Sequence, residues 1–142
     1  MSSTRMSATE RESFLADLHV GVFSIPREGS APLTAPIWYD YEPGGELWVI
    51  TGADSQKGRL LKVGTPVTMV AQTESAPYRY VSVEGEVTSL RDADKENDLR
   101  PMARRYLGEQ MGDQYADNTA GGGGMRVAIK PTRWLSVDYS KL

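Results

Sequence analysis

Cysteine is absent from the 142 residues, which removes disulfide frameworks, thiolate nucleophiles, iron–sulfur clusters and cysteine zinc sites together. Histidine occurs once, at His19, so one chain cannot assemble a multi-histidine metal site, and no metal is expected. No apolar run approaches the roughly 18 residues of a membrane-spanning helix. The opening MSSTRMSATERESF is polar and charged where a signal peptide needs an apolar stretch, so the expectation is a cytoplasmic protein with no membrane partner. A basic excess is missing too. Sixteen Lys and Arg against nineteen Asp and Glu leave a net charge of −3, the wrong sign for a domain that coats nucleic acid.

Several chemistries fail for want of a residue. No Gly-x-Ser-x-Gly elbow accompanies His19, which at the start of an apolar strand reads as a packed or capping residue. The run Gly121–Gly124 lacks the lysine of a phosphate-binding loop. In the acidic stretch Asp92–Asn97, Asn97 stands where a calcium loop needs glycine and Ala103 where it needs glutamate.

What remains is 39% hydrophobic and 25% charged, the profile of one domain over residues 1–142. Residues 1–8 read as a frayed tail, although Ser7 and Glu10 have capping-box spacing for a helix from Thr9 to Asp17. Extended, β-rich segments follow at His19–Ile25, Thr34–Tyr41, Glu46–Thr51, Val67–Gln72 and Tyr80–Leu90. Pro36 suits an edge, and Pro43–Gly45 a hairpin connection. In Tyr80–Leu90, Val81, Val83 and Val87 alternate with polar residues, the period of a half-buried antiparallel strand. Asp54 or Ser55 can cap a helix to about Val63, closed by Gly64. Asp92 can start another, which Pro101 divides and whose apolar stripe is Met102, Ala103, Tyr106 and Leu107. Residues 112–124 lose periodicity and read as a flexible loop. Extended segments over Met125–Lys130 and Trp134–Tyr139 complete a mainly β, α+β chain: a small antiparallel barrel of six or seven strands with a few short peripheral helices.

Two groups of residues could carry chemistry. Thr51, Ser55, Gln56, Lys57 and Arg59 join a strand end to a helix start, where free amides, a lysine and an arginine suit an anion such as phosphate. The competing reading is a serine cap beside solvated cations. Trp38, Tyr39, Tyr41, Trp48, Tyr78, Tyr80 and Trp134 can line a slot for a flat heterocycle or fill the core; core packing is expected for most, Trp48 especially.

Three motifs occur in fixed order: Pro36–Tyr39, Thr51 with Ser55–Arg59, and Pro77–Gly85, with a fourth match at Lys130–Trp134. Together they resemble the split β-barrel flavin-reductase superfamily typified by pyridoxamine 5′-phosphate oxidases, and more closely its actinobacterial branch that uses the deazaflavin coenzyme F-420. The resemblance implies a split β-barrel homodimer with cofactor sites between subunits. It implies that Ser55, Gln56 and Lys57 hold the cofactor phosphate with Arg59 nearby, that backbone at Ile37 and Trp38 borders the tricyclic ring, and that Thr51 lies beside the ribityl chain. Tyr80 and Trp134 fall where family members reach the cofactor, from the partner subunit in one reading. The catalytic residues are not implied.

The sequence also departs from the oxidases. Tyr80 replaces a flavin-contacting glutamine, Thr34–Tyr39 replaces an Arg- and Lys-bearing segment, and the arginine–histidine substrate motif after Trp134 is missing. These departures argue against pyridoxamine phosphate as substrate. The expectation is an F-420-dependent oxidoreductase that transfers hydride to or from an unsaturated small molecule. The alternatives are an FMN-dependent enzyme of the same fold and a non-catalytic flavin- or deazaflavin-binding protein.

Overall fold

The computed structural model describes residues 3–142. Its seven strands are β1 (Gly21–Ile25), β2 (Leu33–Ile37), β3 (Tyr39–Tyr41), β4 (Leu47–Thr51), β5 (Pro66–Gln72), β6 (Arg79–Asp92) and β7 (Met125–Asp138). They form one sheet in the order β2-β1-β5-β6-β7-β4-β3, antiparallel throughout. The two outermost strands, β2 and β3, are consecutive in the chain and separated by Trp38 alone. Cα atoms two residues apart can be no more than about 7 Å from one another. The sheet must therefore roll until its edges meet, which makes it a barrel with an unladdered seam at Trp38. The segment Thr34–Tyr41, one strand by its sequence, is two: β2 bonds to β1 and β3 to β4. Pro36 sits in the edge strand, as a residue without an N–H requires.

Alternation fills the interior. Phe23, Ile25, Leu47, Val49, Val67, Met69, Val81, Val83, Val127 and Ile129 are buried in one cluster. Trp48 falls between Leu47 and Val49 and so points to the other face of β4. It is half-buried there, beneath the Arg126 guanidinium 4.6 Å from its ring, which corrects its expected place in the core. Helix α1 (Ala8–Ala16) contributes Phe14 and Leu15 to the core, and its capping box forms as its sequence predicts. The tail before it is tied down more than its polarity suggests. Met6 is buried, its N–H bonds Ser136 Oγ at 3.0 Å, and the Thr4 carbonyl accepts from Asp138 N–H at 2.7 Å. Of the expected frayed tail, Met1 and Ser2 lie outside the described residues.

Between β6 and β7 the chain makes a helical excursion: a π-helical turn (Lys95–Leu99), α3 (Arg100–Leu107) and α4 (Glu109–Asp117). Pro101 lies in the first turn of α3, where its missing N–H costs nothing. Residues 112–117, read from sequence as part of a loop, are helical. Low hydropathy hides the helix because α4 packs through Gly112, where a Cβ would come within 2.6 Å of Arg104 Cα. Polar clamps do the rest: Arg100 reaches Glu96, Asp113 and Asp117 at 2.7–3.0 Å, and Arg104 reaches Asp113 at 2.7 Å. No helix among the described residues is long and apolar enough to cross a membrane.

Helix α3 also fastens the seam. Tyr106 Oη accepts the Tyr39 N–H at 3.1 Å and lies within hydrogen-bonding reach of the Tyr39 and His19 carbonyls. Arg105 donates to the carbonyls of Tyr39, Ala16 and Asp17. Backbone groups that a sheet edge would leave bare are thereby satisfied by side chains. Burial holds the Tyr106 phenol above its ordinary pKa, so it stays a neutral donor at neutral pH.

Replacing Tyr106 by Phe leaves the part-buried Tyr39 N–H and His19 carbonyl without this partner, while Arg105 still serves the Tyr39 carbonyl, and should cost about 1–3 kcal/mol, read as a lower urea midpoint. Hydrogen bonds from Arg104 and Arg100 depress the Asp113 pKa to about 2, below the roughly 3.9 of an unfolded aspartate. Its contribution is therefore complete above about pH 4 and fades as pH falls towards 2. Asp113→Asn should lower stability at neutral pH and remove that part of the acid dependence, as urea midpoints measured across pH 2–5 would report.

Candidate functional site

The β4–α2 junction begins at Thr51, the last residue of β4, which is buried. Helix α2 (Gln56–Leu60) has five residues, ending well short of the expected Val63. The sheet recaptures the chain too early for more: Gly64 N–H bonds the Val87 carbonyl at 2.7 Å, and Val87 N–H bonds Thr65 at 3.0 Å. So short a helix has little macrodipole, and side-chain charge must supply most of any attraction for an anion.

Ser55 is fully occupied within the turn. Its hydroxyl donates to the Gly52 carbonyl at 2.6 Å, accepts from Gly58 N–H at 3.0 Å and lies 3.2 Å from Thr51 Oγ1. It holds the junction closed while the N–H groups of Gln56 and Lys57 stay without intrahelical partners. Gly58 is what permits the closure, since a Cβ there would fall 2.1 Å from the Gly52 carbonyl oxygen. Lys57 is half-buried and Arg59 exposed, and neither pairs with a carboxylate among the described residues. Residues two apart on a helix diverge. Arg59 and Gln56 accordingly turn towards Arg27 and Leu33 in an open cleft of about 260 Å³ that Lys57 does not line. Arg27 was not among the sequence candidates, because only folding brings the β1–β2 turn against α2.

Ile37 is buried at the end of β2. Trp38, at the seam, stacks on Tyr106 with centroids 5.0 Å apart and planes 4° apart, and meets Tyr115 at 5.5 Å. Its indole shares a cavity of about 120 Å³ with Ile50, the residue before Thr51. Gly124 packs on Thr51, where a Cβ would lie 2.4 Å from the Thr51 carbonyl oxygen. Thr51, Ser55, Gln56, Lys57 and Arg59 thus belong to one junction, with Ile37 and Trp38 at the nearby seam.

Tyr80 and Trp134 do not join them within one chain. Tyr80 and Asp92 are near opposite ends of β6, and Asp92 pairs with Met125, the partner of Thr51. At about 3.4 Å per residue the separation is roughly 40 Å of strand. Trp134 pairs with the buried Val83 and packs against Tyr41, under the Arg11 guanidinium 4.8 Å from its ring. His19 stacks on Phe14 and donates Nε2–H to the Phe14 carbonyl at 3.0 Å. Burial lowers its pKa, so it packs as a neutral cap on α1.

A family model described as pyridoxamine 5′-phosphate oxidase matches residues 8–138. The chain belongs to the pyridoxamine 5′-phosphate oxidase family. Solved structures share the family fold. A conserved hypothetical protein from Mycobacterium tuberculosis superposes with a TM-score of 0.68 at 23% identity, covering 99% of this chain and 90% of that one. A protein described as an F-420 reductase gives 0.61 at 22% identity over 87% of this chain and 94% of its own. An FAD- and haem-binding protein from Mycobacterium smegmatis gives 0.66 at 18% identity, over 94% and 71%. At such identities the likeness is one of fold. No curated protein matches the chain.

Gly58→Ala forces a methyl onto backbone carbonyls and should open the β4–α2 turn. The expected cost is about 1–3 kcal/mol, read as a lower urea midpoint, with altered amide shifts from Gly52 to Arg59.

Proposed function

We propose that the protein is an oxidoreductase that binds the deazaflavin coenzyme F-420 and acts on an unsaturated small organic molecule. The observation that carries this reading is the pair of cations, Lys57 and Arg59, held without carboxylate partners among the described residues on a turn that Gly58 and Ser55 close tightly. That donor set fits a phosphate: the Lys57 ammonium and the amides of Gln56 and Lys57 hold it, and Ser55 fixes their geometry. The Arg27–Arg59 cleft beside them offers further positive charge to an anionic tail. Backbone at Ile37 and Trp38 borders the ring, and Thr51 lies beside its chain. When bound, that group would give or accept the hydride, and the protein would orient it.

Tyr80 and Trp134 reach such a site only from a second copy, and the reading therefore includes a homodimer with the cofactor between protomers. The outer sheet face supports it for Tyr80, whereas Trp134, opposite the buried Val83, points to the other face. Val22, Val70, Ser82 and Leu135 are aligned across four strands, with Leu135 58% exposed, and Tyr80 lies on the same face one step along.

Apoprotein titrated in parallel with F-420 and FMN tests the assignment. F-420 should bind more tightly, and Lys57→Ala should weaken it about ten- to hundredfold, the equivalent of a charged hydrogen bond of about 1.5–3 kcal/mol, with the urea midpoint unchanged. Preference for FMN would make it a flavin enzyme of the same fold, and unchanged affinity in Lys57→Ala would move the phosphate site elsewhere.

A further inference from the structure

The helical excursion does more than cover the seam. With Ile50 of β4 and Trp38, it encloses the cavity of about 120 Å³ through Leu99, Met102, Tyr115 and Thr119. Leu99 and Met102 are buried, while Tyr115 is 46% exposed. No charged side chain lines the space. The Thr119 hydroxyl donates to the Tyr115 carbonyl at 2.6 Å, so its proton is committed. Packing does not close the gap: Tyr106 covers one face of Trp38, but Tyr115 meets it at 51°.

We infer that this cavity is a specificity pocket for the substrate, and that it takes an uncharged single-ring group. Three observations lead there. Size comes first: an apolar cavity of about 150 Å³ accommodates benzene, so a space of similar scale that opens to solvent takes one six-membered ring and excludes three fused ones. The tricyclic cofactor ring must therefore lie elsewhere. Polarity comes second. A carboxylate or ammonium entering these walls would lose its water without gaining a partner. Position is third. Ile50 lines the pocket, and its neighbour Thr51 belongs to the β4–α2 junction at the same end of β4, with its side chain on the opposite face of the strand. The inference rests on the oxidoreductase reading for the word substrate, but the pocket's chemistry does not depend on it.

Benzene and benzoate titrated into cofactor-free protein test the pocket, with the Trp38 indole N–H and the Met102 methyl followed by NMR. Benzene should shift both signals saturably, and benzoate should bind at least tenfold more weakly. Thr119→Phe, which projects a ring into the cavity from a half-buried position, should weaken benzene at least tenfold, and Thr119→Val should not. Equal binding of benzoate, no saturable shift, or indifference to Thr119→Phe would each overturn the proposal. The benzene and benzoate comparison stands even where Thr119→Phe fails to fold. Because no cofactor is present, failure here is distinguishable from failure of F-420 to bind.

Discussion

A single residue joins the two edges of a seven-stranded sheet, and most of the architecture follows from that. Trp38 cannot let β2 and β3 separate, so the sheet closes, yet the bend keeps them from forming a ladder with each other. The open backbone this leaves would be costly if buried and adhesive if exposed. Arg105 and Tyr106 answer both problems by donating to and accepting from the backbone at Tyr39, while gripping the carbonyls that follow α1. Helix α3 is consequently part of the barrel wall in energetic terms, although it lies outside the sheet.

Most ion pairs among the described residues lie in or beside the same excursion. Its own arginines are consumed internally, with Arg100 and Arg104 held by Glu96, Asp113 and Asp117. Arg91 and Arg126 converge on the buried Asp98. Among the described residues Lys57 and Arg59 form no salt bridge, although Asp54 stands in the same turn. Local sign, set by which partners folding brings near, matters more there than the net charge of −3.

How much of this the sequence disclosed depends on whether the signal was local. Strands with strict alternation, such as Val81, Val83 and Val87, were legible because one face of each meets the core. The capping box of α1 and the Ser55 cap were legible because they are read within four residues. The bend at Trp38 was not, since it exists only once β2 pairs with β1 and β3 with β4 at opposite edges of one sheet. Trp48 was misplaced because bulk and aromaticity suggest burial, whereas its parity beside Leu47 and Val49 sends it outward. Helix α4 was missed because Gly112 suits close packing while weakening helical propensity. Arg27 and Tyr115 carried no local signal at all, as their relevance exists only once distant segments meet.

The excursion leaves from β6 and returns into β7, which are hydrogen-bonded neighbours along nearly their whole length. The barrel's connectivity would survive if that detour were exchanged for another of equal reach. Its present form, however, links two tasks on one short helix: Met102 shapes the cavity, and Tyr106, one turn later, bolts the seam. Enlarging the cavity at Met102 would therefore strain the closure of the barrel itself, coupling the cavity's volume to thermal endurance. The cavity is enlarged at least cost from α4, which lines it through Tyr115 but takes no part in the bolt.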